Sequence, residues 1–266
     1  MKFIDLHCDT AGRMFYEKLN LNENICKVDL KKLKKGNCLG QVFAIFVDQK
    51  LNFNPYDEFQ KIYDNFIKEI KLNSDYITVV RNIDELNKAE NENKIGAFLS
   101  IEEGEVIRGS IKKLHEVYDK GIRIITITWN YKNKLGYPNF QFKYKNKGLT
   151  EKGKNIVCEC ESLGILPDAS HLSDKGFYDL IEICSKPFIA SHSNARALTN
   201  HPRNLTDDMI KALSNKGGVM GLNFCLDFLE NSTNTIASLE AIGAHAEHIK
   251  NVGGIDVLCI GSDFDG

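Results

Sequence analysis

The chain has 266 residues, 42% of them hydrophobic, and a formal net charge of −2. That is enough apolar material for one large α/β barrel or two modest domains, and the balanced charge offers no electrostatic footprint for nucleic acid or a membrane surface. No apolar window reaches the roughly 18 residues of a membrane span, and the opening MKFIDLHCDT does not read as a signal peptide because Asp5 interrupts a short apolar stretch.

Taken in chain order, short apolar or β-branched runs alternate with amphipathic helical patterns. The runs are KFIDLHC (2–8), QVFAIFV (41–47), IGAFLSI (95–101), RIITITW (123–129), GILPDA (164–169), PFIASH (187–192), GVMGLNF (218–224) and DVLCIGS (256–262). Between them, Phe59, Ile62, Tyr63, Phe66 and Ile70 fall on one helical face, and Ile111, Leu114 and Val117 do the same before Gly121, placed as a stop. TEKGKNIVCECESLG, SDKGFYDLIEIC, LTDDMIKALSNKGG and LEAIGAHAEHIKNVGG read likewise. Eight strands in such alternation predict a (β/α)8 TIM barrel spanning 1–266 as a single domain. A doubly wound open sheet is the competing reading, but DLHCDTAGRM lacks the Gly-rich phosphate loop it needs. The chain stops at Gly266 with no helix after strand eight, so the barrel is expected to be truncated there.

Eight cysteines are scattered along the chain, and Cys158-Glu-Cys160 is neither a redox pair nor half a zinc ribbon. Reduced, mostly buried thiols in a cytoplasmic protein are the expectation.

Active sites of such barrels form at the C-terminal ends of the strands. Strand one ends in His7 and Asp9, two residues apart and so expected on one face with Phe3 and Asp5, opposite Ile4, Leu6 and Cys8. Strand three ends in Glu102, held at the tip by the preceding AFLSI, and strand four in Trp129 and Asn130. Strand five leads to Asp168 and His171, strand six to His192, and strand eight to Asp263 and Asp265. Three of the chain's seven histidines thus sit on this rim. Their ordinary reading, core histidines satisfied by carboxylates, fits three strand tips less well than ligation. His245 and His248 have chelating spacing but belong to a plain amphipathic helix, His115 reads as helix surface, and His201 lies in a loop. The rim supplies more ligands than one tetrahedral zinc uses. Two divalent ions sharing Glu102 would use them, activating a bridging water and polarising a carbonyl.

With these residues in view, the sequence resembles the membrane dipeptidase (renal dipeptidase) family of binuclear zinc peptidases, among the amidohydrolase-like barrels. The matching stretches are IDLHCDT, SIEEGE, RIITITWN, GLTEKGKNIVCECESLGILPDASHLSD, ASHSNARALTNHPRNLTDD and IGSDFDG, in family order along the whole chain. The resemblance implies two Zn2+, one held by His7, Asp9 and Glu102 and the other by Glu102, His171 and His192. It implies that Arg203 holds the substrate's C-terminal carboxylate and that Asp263 handles the proton. Trp129 and Asp168 join Arg203 as candidate substrate contacts. Mammalian members carry a substrate-contacting His where this chain has Trp129, which leaves the oxyanion-stabilising residue open, and Glu103 stands where Gly is usual.

The expected function is zinc-dependent hydrolysis of free dipeptides by a metal-bridging hydroxide, with tolerance of D-residues at the second position. The partner is then a small dipeptide, with no nucleic acid and no membrane; the oligomeric state, a homodimer included, is not legible. A related amide hydrolase or deacylase is the nearest rival, separated by whether Arg203 clamps a free carboxylate. An inactive truncated metal-binding barrel is the other. The loop 129–147, aromatic and basic, is expected to line or cover the cleft.

Overall fold

The computed structural model describes residues 1–50, 54–230 and 236–266. In chain order it contains β1 (Phe3–Cys8), α1 (Thr10–Glu17), α2 (Leu30–Lys35), β2 (Cys38–Phe46), α3 (Pro55–Leu72), β3 (Ile77–Val79), α4 (Ile83–Asn91), β4 (Ile95–Glu102), α5 (Ile111–Asp119) and β5 (Ile122–Thr126). Then follow α6 (Glu151–Leu163), β6 (Leu166–Asp168), α7 (Asp174–Ile183), β7 (Ile189–Ala190), α8 (Asp207–Asn215), β8 (Val219–Leu222), the single turn α9 (Leu226–Leu229), α10 (Leu239–Gly253) and β9 (Leu258–Ile260).

All strand pairings are parallel, and β4 pairs directly with β2 while β9 pairs with β1. Eight strands therefore close into a ring, β1-β2-β4-β5-β6-β7-β8-β9, the expected (β/α)8 barrel. The short β3 lies outside it, on the first residues of β4. It shifts the count by one, so the predicted strands three to eight are β4 to β9.

The helices end where their chemistry dictates. Asn54 accepts a hydrogen bond from Tyr56 N and Pro55 opens α3, whose Phe59, Ile62, Phe66 and Ile70 are buried. Thr150, Ser173, Thr206 and Ser238 cap α6, α7, α8 and α10 in the same way. The main apolar core packs these helices against the outside of the barrel. Inside, Val42, Ile124 and Ile189 meet Leu6, Phe98 and Val219.

One expectation fails on β1. Its register against β2 slips between Asp5 and Cys8, so strict alternation is lost. Leu6 packs into the inner cluster, Asp5 accepts from Ser262 N and Oγ, and His7 still turns its ring into the barrel mouth. Such a slip re-aims a side chain beside a site. At the mouth, β8 and β9 crowd the end of β7: a Cβ on Gly221 or Gly261 would stand 2.0 or 1.8 Å from the Ser191 carbonyl oxygen. All eight cysteines are unpaired thiols, and five are buried. Among the described residues no helix is long and apolar enough to cross a membrane.

Candidate active site

The predicted ligands converge. His7 comes from β1, Glu102 from the last residue of β4, and His192 from just after β7; His171 sits in the β6–α7 loop at φ +65°. His7 Nε2 lies 3.3 Å from Asp9 Oδ2 and 3.4 Å from Glu102 Oε2. The other Glu102 oxygen, Oε1, lies 3.1 Å from His171 Nε2 and 3.7 Å from His192 Nε2. One carboxylate thus presents one oxygen to each of two ligand groups, His7–Asp9–Glu102 and Glu102–His171–His192. His7 Nε2 and Asp9 Oδ1 have no hydrogen-bond partner although both atoms are buried.

A layer behind the rim fixes the ring tautomers. Ser191 Oγ donates to Asp168 Oδ2 at 2.5 Å, which leaves it to accept from His192 Nδ1–H at 2.6 Å. Asn130 Oδ1 accepts from His171 Nδ1–H at 3.2 Å. Each ring then presents its Nε2 lone pair to the mouth, and these two nitrogens are 3.0 Å apart. Burial, then the neighbouring Arg203 and His7 charges, hold His171 well below its usual pKa; burial, then His7 and Arg203, do the same to His192. When Glu102 is ionised, two neutral imidazoles and a carboxylate oxygen, all acceptors, meet at one point. A cation resolves that arrangement, and neutral His with carboxylate is the donor set a divalent ion takes. On the other side, burial opposes a charge on His7, but Glu102 and Asp9 outweigh it and raise its pKa well above 6.5. Burial first, then the Asp9 charge, push Glu102 up to about 8. The residues therefore fit two cations sharing Glu102.

Asp263 follows β9 at φ +60° and faces the same point, 3.8 Å from His7 Nε2. Asn223 Nδ2 donates to its Oδ2 at 2.8 Å, and burial is the main cause raising its pKa. Arg203 is 4% exposed. Its Nη2 donates to the His192 carbonyl at 3.1 Å, while Nε and Nη1 have no partner. Its guanidinium lies over the Phe228 ring at 5.3 Å. Together with Trp129, Phe46, Phe140, Phe224 and Phe228 it lines a cleft of about 1310 Å3 that reaches Asp9, Glu102, His171 and Asp263. Phe140 and Gln141 bring the loop 129–147 to this cleft, as the sequence led one to expect.

Asp168 requires correction as a substrate contact. It is fully buried, and its oxygens accept from Thr126 Oγ1, Ser170 N, Ser191 N and Ser191 Oγ. No oxygen remains for a ligand, and its role is to hold Ser191 and through it His192. Asp265 is likewise spent, accepting from Thr10 Oγ1 and the amides of Lys27 and Val28. His245 bonds Ala195 N and the Leu229 carbonyl, and His248 pairs with Asp207, so neither chelates. His115 pairs with Glu159 at the surface. His201 does line the cleft, its ring tilted against Phe228 with centroids 4.6 Å apart.

A model of the membrane dipeptidase family, peptidase family M19, matches residues 1–266. The chain belongs to the membrane dipeptidase family. A Schizosaccharomyces pombe protein described as an uncharacterized dipeptidase is 30% identical over 251 residues, covering 90% of this chain. This chain spans 60% of that relative's length. An uncharacterized Acinetobacter calcoaceticus protein is 27% identical, covering 92% of this chain and 84% of its own. Among solved structures, a metallo peptidase of Rhodobacter sphaeroides, liganded with a phosphinate mimic of the dipeptide L-Ala-D-Ala, superposes with a TM-score of 0.92 at 26% identity. It covers 100% of this chain and 86% of its own. A dipeptidase of family M19 gives the same TM-score, identity and coverage. In this member of the family, sequence reasoning did not find Ser191 and Asn223; Ser191 adjoins His192 and Asn223 lies in the run 218–224, but their partners Asp168 and Asp263 lie 23 and 40 positions away.

Proposed function

We propose that this member of the membrane dipeptidase family hydrolyses free dipeptides with two divalent ions, zinc in the first instance, held by His7, Asp9, Glu102, His171 and His192. The observation that carries this reading is the meeting of unpaired acceptors around Glu102, beside a buried Arg203 with two free donor atoms. When bound, the ions activate water and polarise the scissile carbonyl.

The chain's own residues do the rest. Arg203 offers a bidentate, charge-assisted grip on a C-terminal carboxylate, which limits the substrate to a residue or two beyond the scissile bond. Asp263, with its pKa raised by burial and its oxygen steadied by Asn223, is suited to take a proton from the attacking water and pass it to the leaving amine. Trp129 and the phenylalanines offer apolar walls to the side chains. A cleft that grips the carboxylate more than the second side chain fits D-residues there, in line with the phosphinate mimic bound by the Rhodobacter relative.

The test is a panel of free, C-terminally amidated and D-containing dipeptides with zinc-loaded protein. Cleavage confined to free dipeptides is expected. Amidated dipeptides or N-acyl amino acids cleaved in preference to free dipeptides would overturn the reading.

A further inference from the structure

Glu103 follows the shared ligand Glu102 and is wholly buried, with a backbone φ of +93°. A non-glycine residue pays strain to hold such an angle, and strain of this kind persists only where surrounding contacts enforce it. The contacts are on its carboxylate. Oε1 accepts from Glu105 N at 2.8 Å and from Asn133 Nδ2 at 2.5 Å, and Oε2 accepts from Trp129 N at 3.2 Å.

Asn133 is the hub of the loop after β5. Its Nδ2 also donates to the Ile127 carbonyl, and its Oδ1 accepts from the amides of Leu135 and Gly136. Glu103 therefore binds both the hub and the backbone of Trp129. Between them sits Asn130, whose Oδ1 fixes the His171 tautomer. The Trp129 ring lies 4.7 Å from Phe46 and 6.2 Å from His171.

We infer that Glu103 is a positioning residue: its left-handed backbone turns the carboxylate away from the ligand rim and anchors the β5–α6 loop, which sets Trp129 against the cleft and Asn130 against His171. The inference rests on the dipeptidase reading for its kinetic consequence, but not for its structural one.

Trp129 is the only tryptophan of the chain, so its fluorescence reports the loop without substrate. Glu103→Gly suits the backbone angle and removes the anchor. Expected are a red-shifted Trp129 emission, greater acrylamide quenching, unchanged zinc stoichiometry, and a KM raised about tenfold with a smaller change in kcat. Asn133→Ala breaks the link from the loop side and should move the same signals. Glu103→Gln retains one acceptor oxygen for Glu105 N and Asn133 and loses the one for Trp129 N, so it should fall between wild type and Glu103→Gly. Wild-type emission, quenching and KM in both Glu103→Gly and Asn133→Ala overturn the inference. So does a Gln variant no better than Gly, which would put charge in control in place of hydrogen-bond geometry. If no variant nor wild type cleaves dipeptides while the Trp129 signals shift, the positioning stands and the dipeptidase reading falls.

Discussion

Replacing Glu102 by Gln should stabilise the metal-free protein and weaken its stabilisation by metal. In the metal-free protein, burial and the Asp9 charge push Glu102 from 4.5 to about 8. The folded chain then holds a proton that the unfolded chain releases. The stabilising contribution of that protonation is full below pH 4.5 and is lost as the pH rises through about 8. At about 1.4 kcal/mol per unit, the loss across that window is on the order of 5 kcal/mol. Gln does not titrate, and its amide can donate to the His171 Nε2 lone pair 3.1 Å from Glu102 Oε1. Metal-free Glu102→Gln should therefore be more stable than metal-free wild type at pH 8, with the difference shrinking towards pH 5. A chain of this size shifts by about 2–4 °C per kcal/mol, so the gain is readable in a thermal melt with chelator. With zinc the wild type should gain more than the variant, so the gap narrows. An ion at 100 times its Kd adds about 2.7 kcal/mol, and the variant loses the oxygen each ligand group shares. Paired melts at pH 5.5 and 8, with chelator and with zinc, decide it. A metal-free variant less stable than wild type at pH 8 would refute the cost assigned to the buried carboxylate. Equal stabilisation of both proteins by zinc would refute the shared ligand.

Three further outcomes follow from the same geometry. Arg203→Met should raise KM for free dipeptides by a factor equivalent to about 2–5 kcal/mol while zinc content, read by elemental analysis, stays at the wild-type level. Asp263→Asn should lower kcat about 10²–10⁴-fold with both ions retained, and near-normal turnover would remove Asp263 from the proton path. Asp168→Ala strands Ser191, Ser170 N and Thr126 Oγ1 in a dry layer, so stability should fall by about 2–4 kcal/mol in a urea titration, with zinc affinity weakened through His192.

The eight barrel strands were legible because a parallel strand covered on both sides must be apolar almost throughout. QVFAIFV and IGAFLSI announce themselves for that reason. The outlying β3 did not: ITV is three residues long and rests on the start of β4 alone. The short α1 and α4 also escaped, α1 because Thr10, Ala11 and Gly12 carry no helical period and α4 because only Leu86 and Ala89 are buried on it. The convergence of the candidate ligands was legible since a barrel rim places strand ends together whatever lies between them. The alternation drawn for β1 failed, because the slip between Asp5 and Cys8 is set by pairing with β2 and leaves no mark in FIDLHC. Asp168 misled for a related reason. An aspartate at a strand tip looks available, and only the pairing of β5, β6 and β7 shows that Thr126 and Ser191 consume it.

On the proposed function, the charges of the mouth link the candidate metal centre to the carboxylate grip. Asp9, Glu102 and Asp263 face one another around His7, and Arg203 feels the fields of Asp263 and Glu102 yet bonds to neither. Without metal, an anion approaching Arg203 would meet the carboxylates of this cluster wherever they are ionised. Two divalent ions, if bound as proposed, would offset that charge, and the same guanidinium would then stand in a cationic pocket. Its free donors need no internal partner to be broken before substrate arrives, which is the preorganisation that makes a buried charge effective. The tautomer-fixing layer works toward the same end. Ser191 and Asn130 direct the lone pairs of His192 and His171 inward, and ions gathered there would supply the positive field in which Arg203 acts on an anion.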